Sequence, residues 1–214
     1  MTDSRAFVRA NTRLAPVPLV PEILLYQAEE AITLWERTET ESATHQPPPF
    51  WAFAWAGGQA LARYVLDNPA MVAGKRVLDL AAGSGLVAIA AAKAGAVEVT
   101  AVDIDPLSLA AVAANASANG VTVNRVERDV LDEPPDADTI LAGDVFYSRE
   151  MAERMMAYLQ RAAAGGATVL AGDPGRAYLP RWGLRELAEY EVPVAATLED
   201  AAVKHTRVWE IATK

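Results

Sequence analysis

The chain has 214 residues, 52% of them hydrophobic, with no cysteine, two histidines and a formal charge of −9 from 19 basic and 28 acidic side chains. That length suits one domain with a substantial core. The absence of cysteine excludes disulfides, thiolate metal sites and a cysteine nucleophile, and the acidic balance argues against a surface that tracks nucleic acid. No apolar run is long enough to span a bilayer, and Met1–Arg13 lacks the apolar stretch of a secretory signal. The expectation is a cytoplasmic, monomeric or weakly associated protein without membrane or nucleic-acid partners and without a bound metal.

Residues 1–20 are punctuated by proline and read as an extended lead-in. Pro21 to about Thr40 reads as a helix, with Ile23, Leu24, Ala31, Leu34 and Trp35 at helical spacing. Pro47, Pro48 and Pro49 forbid helix and set a stiff entry to an aromatic segment, Trp51, Phe53 and Trp55. Its alternating aromatics fit either a core-packing strand or an aromatic wall for a cation. Gly57 and Gly58 follow, opening a helix to about Asp67 whose N-terminus is placed to approach a cofactor carboxylate.

The pattern then becomes βαβ. Strand Arg76–Leu80 precedes helix Gly85–Ala94 and strand Val97–Val102. Helix Pro106–Asn119 has Asp105 as N-cap, Pro106 at its first position and Gly120 as its stop. Strands Thr122–Val126 and Thr139–Ala142, helix Arg149–Ala163, strand Ala167–Ala171 and helix Pro180–Tyr190 follow. Two closing strands, about Glu191–Thr197 and Thr206–Ile211, predict an antiparallel hairpin at a sheet edge. The organisation expected is one domain over 1–214: an N-terminal extension (1–45), the aromatic segment with its helix (46–70) and a Rossmann-like α/β sheet (71–214).

Ligands of such sheets bind beyond the carboxyl ends of the strands, which singles out Asp79 with Gly83 and Gly85, Asp103, Asp129, and Gly143-Asp144 with Tyr147. No Lys-Ser/Thr pair follows Gly85, so a P-loop is excluded. Gly83-x-Gly85-x-x-Ala88 with Asp103 meets a relaxed dinucleotide fingerprint, so an NAD-dependent oxidoreductase stays open. Asp79 weighs against it: a carboxylate beside the turn suits the sulfonium and ammonium of S-adenosylmethionine better than a pyrophosphate. In that reading Gly83 and Gly85 admit the methionine part and Asp103 takes the ribose hydroxyls. Ile104 packs on adenine, the Asp129 carboxylate takes its exocyclic amine, and a backbone amide at Val130 meets the ring. Asp144 lies where the methyl should point. His45 and His205 stand alone and read as surface or packing residues. Ser84 lacks an acyl-transfer elbow.

Taken together, Phe50–Leu61 (FWAFAWAGGQAL), Val77–Leu86 (VLDLAAGSGL), Gly143–Tyr147 (GDVFY) and Gly172–Arg176 (GDPGR) resemble the class I, seven-strand protein-lysine methyltransferases. Within them they resemble the electron transfer flavoprotein beta-subunit lysine methyltransferase family, in a bacterial version. The likeness runs from about Pro21 to the end. It implies a seven-stranded sheet, S-adenosylmethionine as donor, and a protein lysine as acceptor, with the electron transfer flavoprotein beta subunit as partner. It also implies that Asp144-x-x-Tyr147 lies at the substrate lysine and that Trp55 contacts the cofactor; Trp51, Phe53 and Phe146 are read as substrate-binding residues on the acceptor side. Ala81 stands where many class I enzymes carry glycine, at a close backbone contact. Val145 and Phe146 replace the prolines of amide-nitrogen methyltransferases. A small-molecule amine or ring-nitrogen methyltransferase, with residues through Thr40 as a lid, and a non-catalytic cofactor-binding module remain the alternatives.

Overall fold

The computed structural model describes residues 3–42, 46–194 and 201–212; His45 and residues 195–197 of the expected strand lie outside them. Helix α1 (Ser4–Asn11) is capped by Asp3, whose carboxylate accepts from the Arg5 and Ala6 N–H groups. Strands β1 (Arg13–Val17) and β2 (Val20–Gln27) pair antiparallel, and α2 (Ala31–Ser42) follows. The predicted extended lead-in is therefore a helix and a strand. The predicted helix from Pro21 is a strand through Gln27 and turns helical only at Ala31. Ile23 and Leu25, two residues apart, are both fully buried, which is the period of a strand. The backbone of β2 also finds side-chain partners: the Leu24 N–H donates to Asn119 Oδ1 at 3.0 Å and the Tyr26 N–H to Asn115 Oδ1 at 2.7 Å.

The aromatic segment is a short 3-10 turn, Phe50–Ala52, not a strand, and leads into α3 (Ala56–Asp67). The chain then runs β3 (Arg76–Leu80), α4 (Leu86–Lys93), β4 (Glu98–Asp103), α5 (Pro106–Ala118), β5 (Asn124–Glu127), β6 (Thr139–Gly143), α6 (Arg149–Ala164), β7 (Thr168–Asp173), β8 (Leu184–Pro193) and β9 (Val203–Ile211). Strands β3 to β9 form one seven-stranded sheet in the order β5-β4-β3-β6-β7-β9-β8. The first five are parallel, and β9 and β8 close the edge antiparallel, as expected from the sequence.

Parallel strands are buried on both faces, which is why they read as near-continuous apolar runs. Val77, Val99, Leu141 and Leu170 pack with α3, α4 and α5, while Leu80, Val102, Ile140 and Val169 pack with α6 on the other face. The predicted helix Pro180–Tyr190 is overturned, because from Leu184 the chain is strand β8. Its charges form cross-strand pairs: Arg185 lies opposite Glu210, with Nε 2.7 Å from Oε2, and Glu189 lies opposite Arg207 at 2.9 Å.

Candidate active site

Strand β3 lies between β4 and β6, so connections leave it in opposite directions and a crevice opens beyond its carboxyl end. A cavity of about 490 Å³ occupies that crevice. The ends of β3, β4 and β6, the segment after β5, the aromatic turn and Arg176 after β7 all contribute to its wall.

The glycine turn shows why its residues are those types. Gly83 has φ +52° and Gly85 φ +78°, both left-handed. A Cβ on Gly85 would also come within 3.0 Å of Val112 on α5. Ala81 adopts φ 51°, a conformation glycine takes at no cost, which accounts for the glycine common at this place. Asp79 is buried at the base of the turn and accepts from the Ala88 N–H at 2.9 Å. Burial pushes its carboxyl well above the usual range, the Ala88 bond opposes this, and the charge of Asp103 adds to it. A bound cation is what would bring this carboxylate back to its charged form. Asp103 accepts from Gly83 N–H and Asp105 N–H, one on each oxygen, both at 2.9 Å. Asp103 lines the cavity, and each of its oxygens keeps a second lone pair able to accept a further hydrogen bond.

Ile104 lines the cavity with 72% of its surface exposed, an uncovered apolar face beside an acid. Val130, Leu131, Met151 and Met155 give the same end further apolar lining. Asp129 also lines it; its oxygens accept from Leu131 N–H at 3.0 Å and Arg154 Nη1 at 2.8 Å, and the bond from Arg154 holds its pKa low. Cationic or neutral groups fit this set of acids, whereas a pyrophosphate would face Asp79, Asp103 and Asp129 together. The residues present fit S-adenosylmethionine.

At the other end Asp144, in the left-handed region at φ 57°, turns its carboxylate toward α3. Its Oδ2 accepts from the Gly58 N–H at 2.8 Å, and its Oδ1 takes Arg176 Nη2 at 2.6 Å and Nε at 3.1 Å. The α3 N-terminus expected to meet a cofactor carboxylate thus already holds the protein's own. Gly57 is required there because a Cβ would lie 2.2 Å from the Gly172 carbonyl oxygen and 2.5 Å from Asp144 Oδ2. Asp144 does not cap α6; Ser148 does, accepting from the Met151 N–H.

The aromatic wall differs in membership from the sequence reading. Phe50, Phe53, Trp55 and Tyr147 line the cavity, with Phe50 5.9 Å from both Trp55 and Tyr147 and Phe53 6.0 Å from Trp55. Trp51 and Phe146 do not line it. Trp51 is buried against α5, and Phe146 is fully buried in the α6 layer, because Asp144 and Tyr147 face outward from the same short loop. Gly143, Gly58 and Ala81 line the cavity as well. Sequence reasoning missed Phe50 and Arg176. Phe50 was masked by the prolines before it, and Arg176 lies 32 residues from the acid it pairs with. The four described strand ends bearing Asp79, Asp103, Asp129 and Asp144 do converge on one cavity.

Three comparisons bear on this site. The family model for ribosomal protein L11 methyltransferase (PrmA) matches residues 60–172. The electron transfer flavoprotein beta subunit lysine methyltransferase of Mus musculus is 36% identical over 214 aligned residues, covering 96% of this chain and 83% of the relative. That of Homo sapiens is 34% identical, covering 97% and 81%. Among solved structures, a putative RNA methyltransferase from Pyrococcus horikoshii matches with a TM-score of 0.59 at 16% identity, covering 85% of this chain and 98% of that one. That likeness shows the fold. With the glycine turn, the acids and the sheet order in agreement, the chain belongs to the electron transfer flavoprotein beta subunit lysine methyltransferase family, within the class I, S-adenosylmethionine-dependent protein-lysine methyltransferases.

Proposed function

We propose that this chain moves a methyl group to the side-chain amine of a lysine on the electron transfer flavoprotein beta subunit. The observation that carries the reading is Asp144 in the wall of a cavity whose aromatic rim is open. Tyr147 and Phe50 expose 51% and 45% of their surfaces, and none of residues 3–42 lines the cavity. An open rim suits a side chain presented by a macromolecule. A small-molecule site would call for the N-terminal lid, and the extension instead packs Phe7, Val8 and Leu34 beside α5.

When bound, S-adenosylmethionine supplies a methyl carbon activated by the adjoining sulfonium. Asp79 and the glycine turn would hold its methionine part, Asp103 the ribose, and Ile104, Asp129 and Val130 the adenine. Trp55, which lines the same cavity, would contact the cofactor. The chain's remaining task is placement, with the acceptor nitrogen held in line with the methyl. Asp144 and Tyr147 orient that nitrogen, and Phe50 and Phe53 exclude water from it. A free lysine side chain has a pKa of about 10.4, and desolvation among these rings favours the neutral form.

The test is incubation of the enzyme with labelled S-adenosylmethionine and purified electron transfer flavoprotein, followed by mass spectrometry of both subunits. Methyl on a beta-subunit lysine supports the reading. Methyl found only on small amines or ring nitrogens, or no transfer at all, removes it.

A further inference from the structure

A carboxylate beside an acceptor lysine creates a difficulty: it attracts the ammonium and holds its proton, while transfer needs the neutral amine. Arg176 answers it. Its guanidinium grips Asp144 Oδ1 through two nitrogens and lies 5.7 Å from the centre of the Trp55 ring. Its main chain is fixed as well, because Asp173 Oδ1 accepts from both the Gly175 and Arg176 N–H groups at 2.7 Å. Arg176 is thus clamped at backbone and side chain. It is not a plug waiting to leave.

The other charges around the acceptor end do not replace it. Asp144 and Tyr147 come from the β6 end, Asp173 from β7, and Asp79 and Asp103 from β3 and β4; α3 offers only Gly57 and Gly58. Asp105 turns back to cap α5. Two more arginines line the cavity, but each engages acids at the rim, Arg128 with Glu133 at 3.2 Å and Arg154 with Asp129 and Asp132. Among the described residues, the cation shown paired with Asp144 is Arg176.

We infer that Arg176 is a positioning residue that cancels the charge of Asp144, so that Asp144 aligns the substrate amine without restoring its proton. This rests on the reading of Asp144 as the acceptor-side residue. The lysine proton leaves to water, the nitrogen lone pair forms the new C–N bond, and the electrons of the broken C–S bond stay on sulfur.

The test is the pH dependence of kcat at saturating donor and electron transfer flavoprotein, for wild type, Arg176→Gln, Arg176→Lys and the double variant Asp144→Asn/Arg176→Gln. The rising limb of such a profile reports the acceptor's proton in the complex. Arg176→Gln should move that limb about one unit alkaline, lowering turnover about tenfold below it. Arg176→Lys should keep the wild-type limb. The double variant, slower for want of Asp144, should return to it. An unmoved limb in Arg176→Gln, an equal shift in Arg176→Lys, or inactivity of a folded Arg176→Gln at every pH would overturn the inference. Failure of the wild-type enzyme to methylate any lysine would instead remove the underlying reading.

Discussion

Asn115, fully buried on α5, donates from Nδ2 to the Ser84 carbonyl at 2.8 Å while its Oδ1 accepts from the Tyr26 N–H at 2.7 Å. One side chain thereby ties the N-terminal hairpin to the glycine turn. Replacement by alanine orphans a carbonyl and an N–H inside the protein, at about 1–3 kcal/mol for each. Asn115→Ala should lower stability in urea unfolding and weaken adenosylhomocysteine binding together. A variant that loses stability but binds normally would separate the hairpin from the site.

Asp103→Ala is expected to weaken adenosylhomocysteine binding at least a hundredfold. On the proposed assignment it would remove two charge-assisted bonds to ribose, each worth about 1.5–3 kcal/mol, and it also removes the partner of the Gly83 N–H. Calorimetry showing wild-type affinity would take the ribose away from this strand end.

Asp144→Asn keeps the shape of the side chain and can still accept from the Gly58 N–H, so cofactor affinity should hold. Methyl transfer should fall roughly a hundredfold, equivalent to about 3 kcal/mol of lost alignment. Because Ser148 caps α6, no loss of helix stability is expected to accompany it. Thermal melting and methyl transfer measured on the same preparation distinguish the two: a lowered melting temperature with unchanged turnover makes Asp144 structural.

Gly57 and Gly58 are adjacent, yet alanine should affect them in opposite directions. At Gly57 the new Cβ would lie 2.2 Å from the Gly172 carbonyl oxygen, forcing α3 off the sheet, whereas at Gly58 the nearest atom is 3.9 Å away. Gly57→Ala should cost more than about 4 kcal/mol or prevent folding. Gly58→Ala should leave stability unchanged or raise it by up to about 1 kcal/mol through helix propensity. Denaturant titration of the pair checks this.

Burial raises the Asp173 carboxyl from an ordinary 3.8 to about 6, the bonds from Arg176 and Gly175 N–H opposing it and the charge of Asp144 adding to it. The folded state therefore binds more protons than the unfolded between those values. Stability from this group is present at low pH and lost as pH rises through about 6. Among the described residues, Asp173 Oδ2 is buried without a hydrogen-bond partner, so the bonds to Oδ1 and the charge of Arg176 compensate its ionisation only in part. Asp173→Asn should raise the melting temperature at pH 8, recovering up to about 3 kcal/mol, and change it little near pH 4. Equal effects at both pH values would refute the titration.

The sequence by itself determined the parallel half of the sheet, because its inner strands β3, β4, β6 and β7 are largely apolar and its turns carry residues that mark them: Gly83 and Gly85 at positive φ, Pro106 after a capping Asp105. It also determined the acids of the crevice, since Asp103 ends the apolar strand β4, Asp144 directly follows the apolar β6, and Asp79 sits inside β3 just before the glycine turn. What only the tertiary structure decided lies where a segment's conformation depends on a distant partner. Residues 20–27 form a strand paired with β1, and Asn115 and Asn119, about ninety positions later, accept from the Tyr26 and Leu24 N–H groups. Residues 184–193 became one because β9 supplies the opposite charges that a helix would have found within itself. The same holds at the site. Asp144 could be read from its strand, but its neutralisation by Arg176 depends on β6 and β7 ending side by side, a juxtaposition made by pairing and not by local pattern.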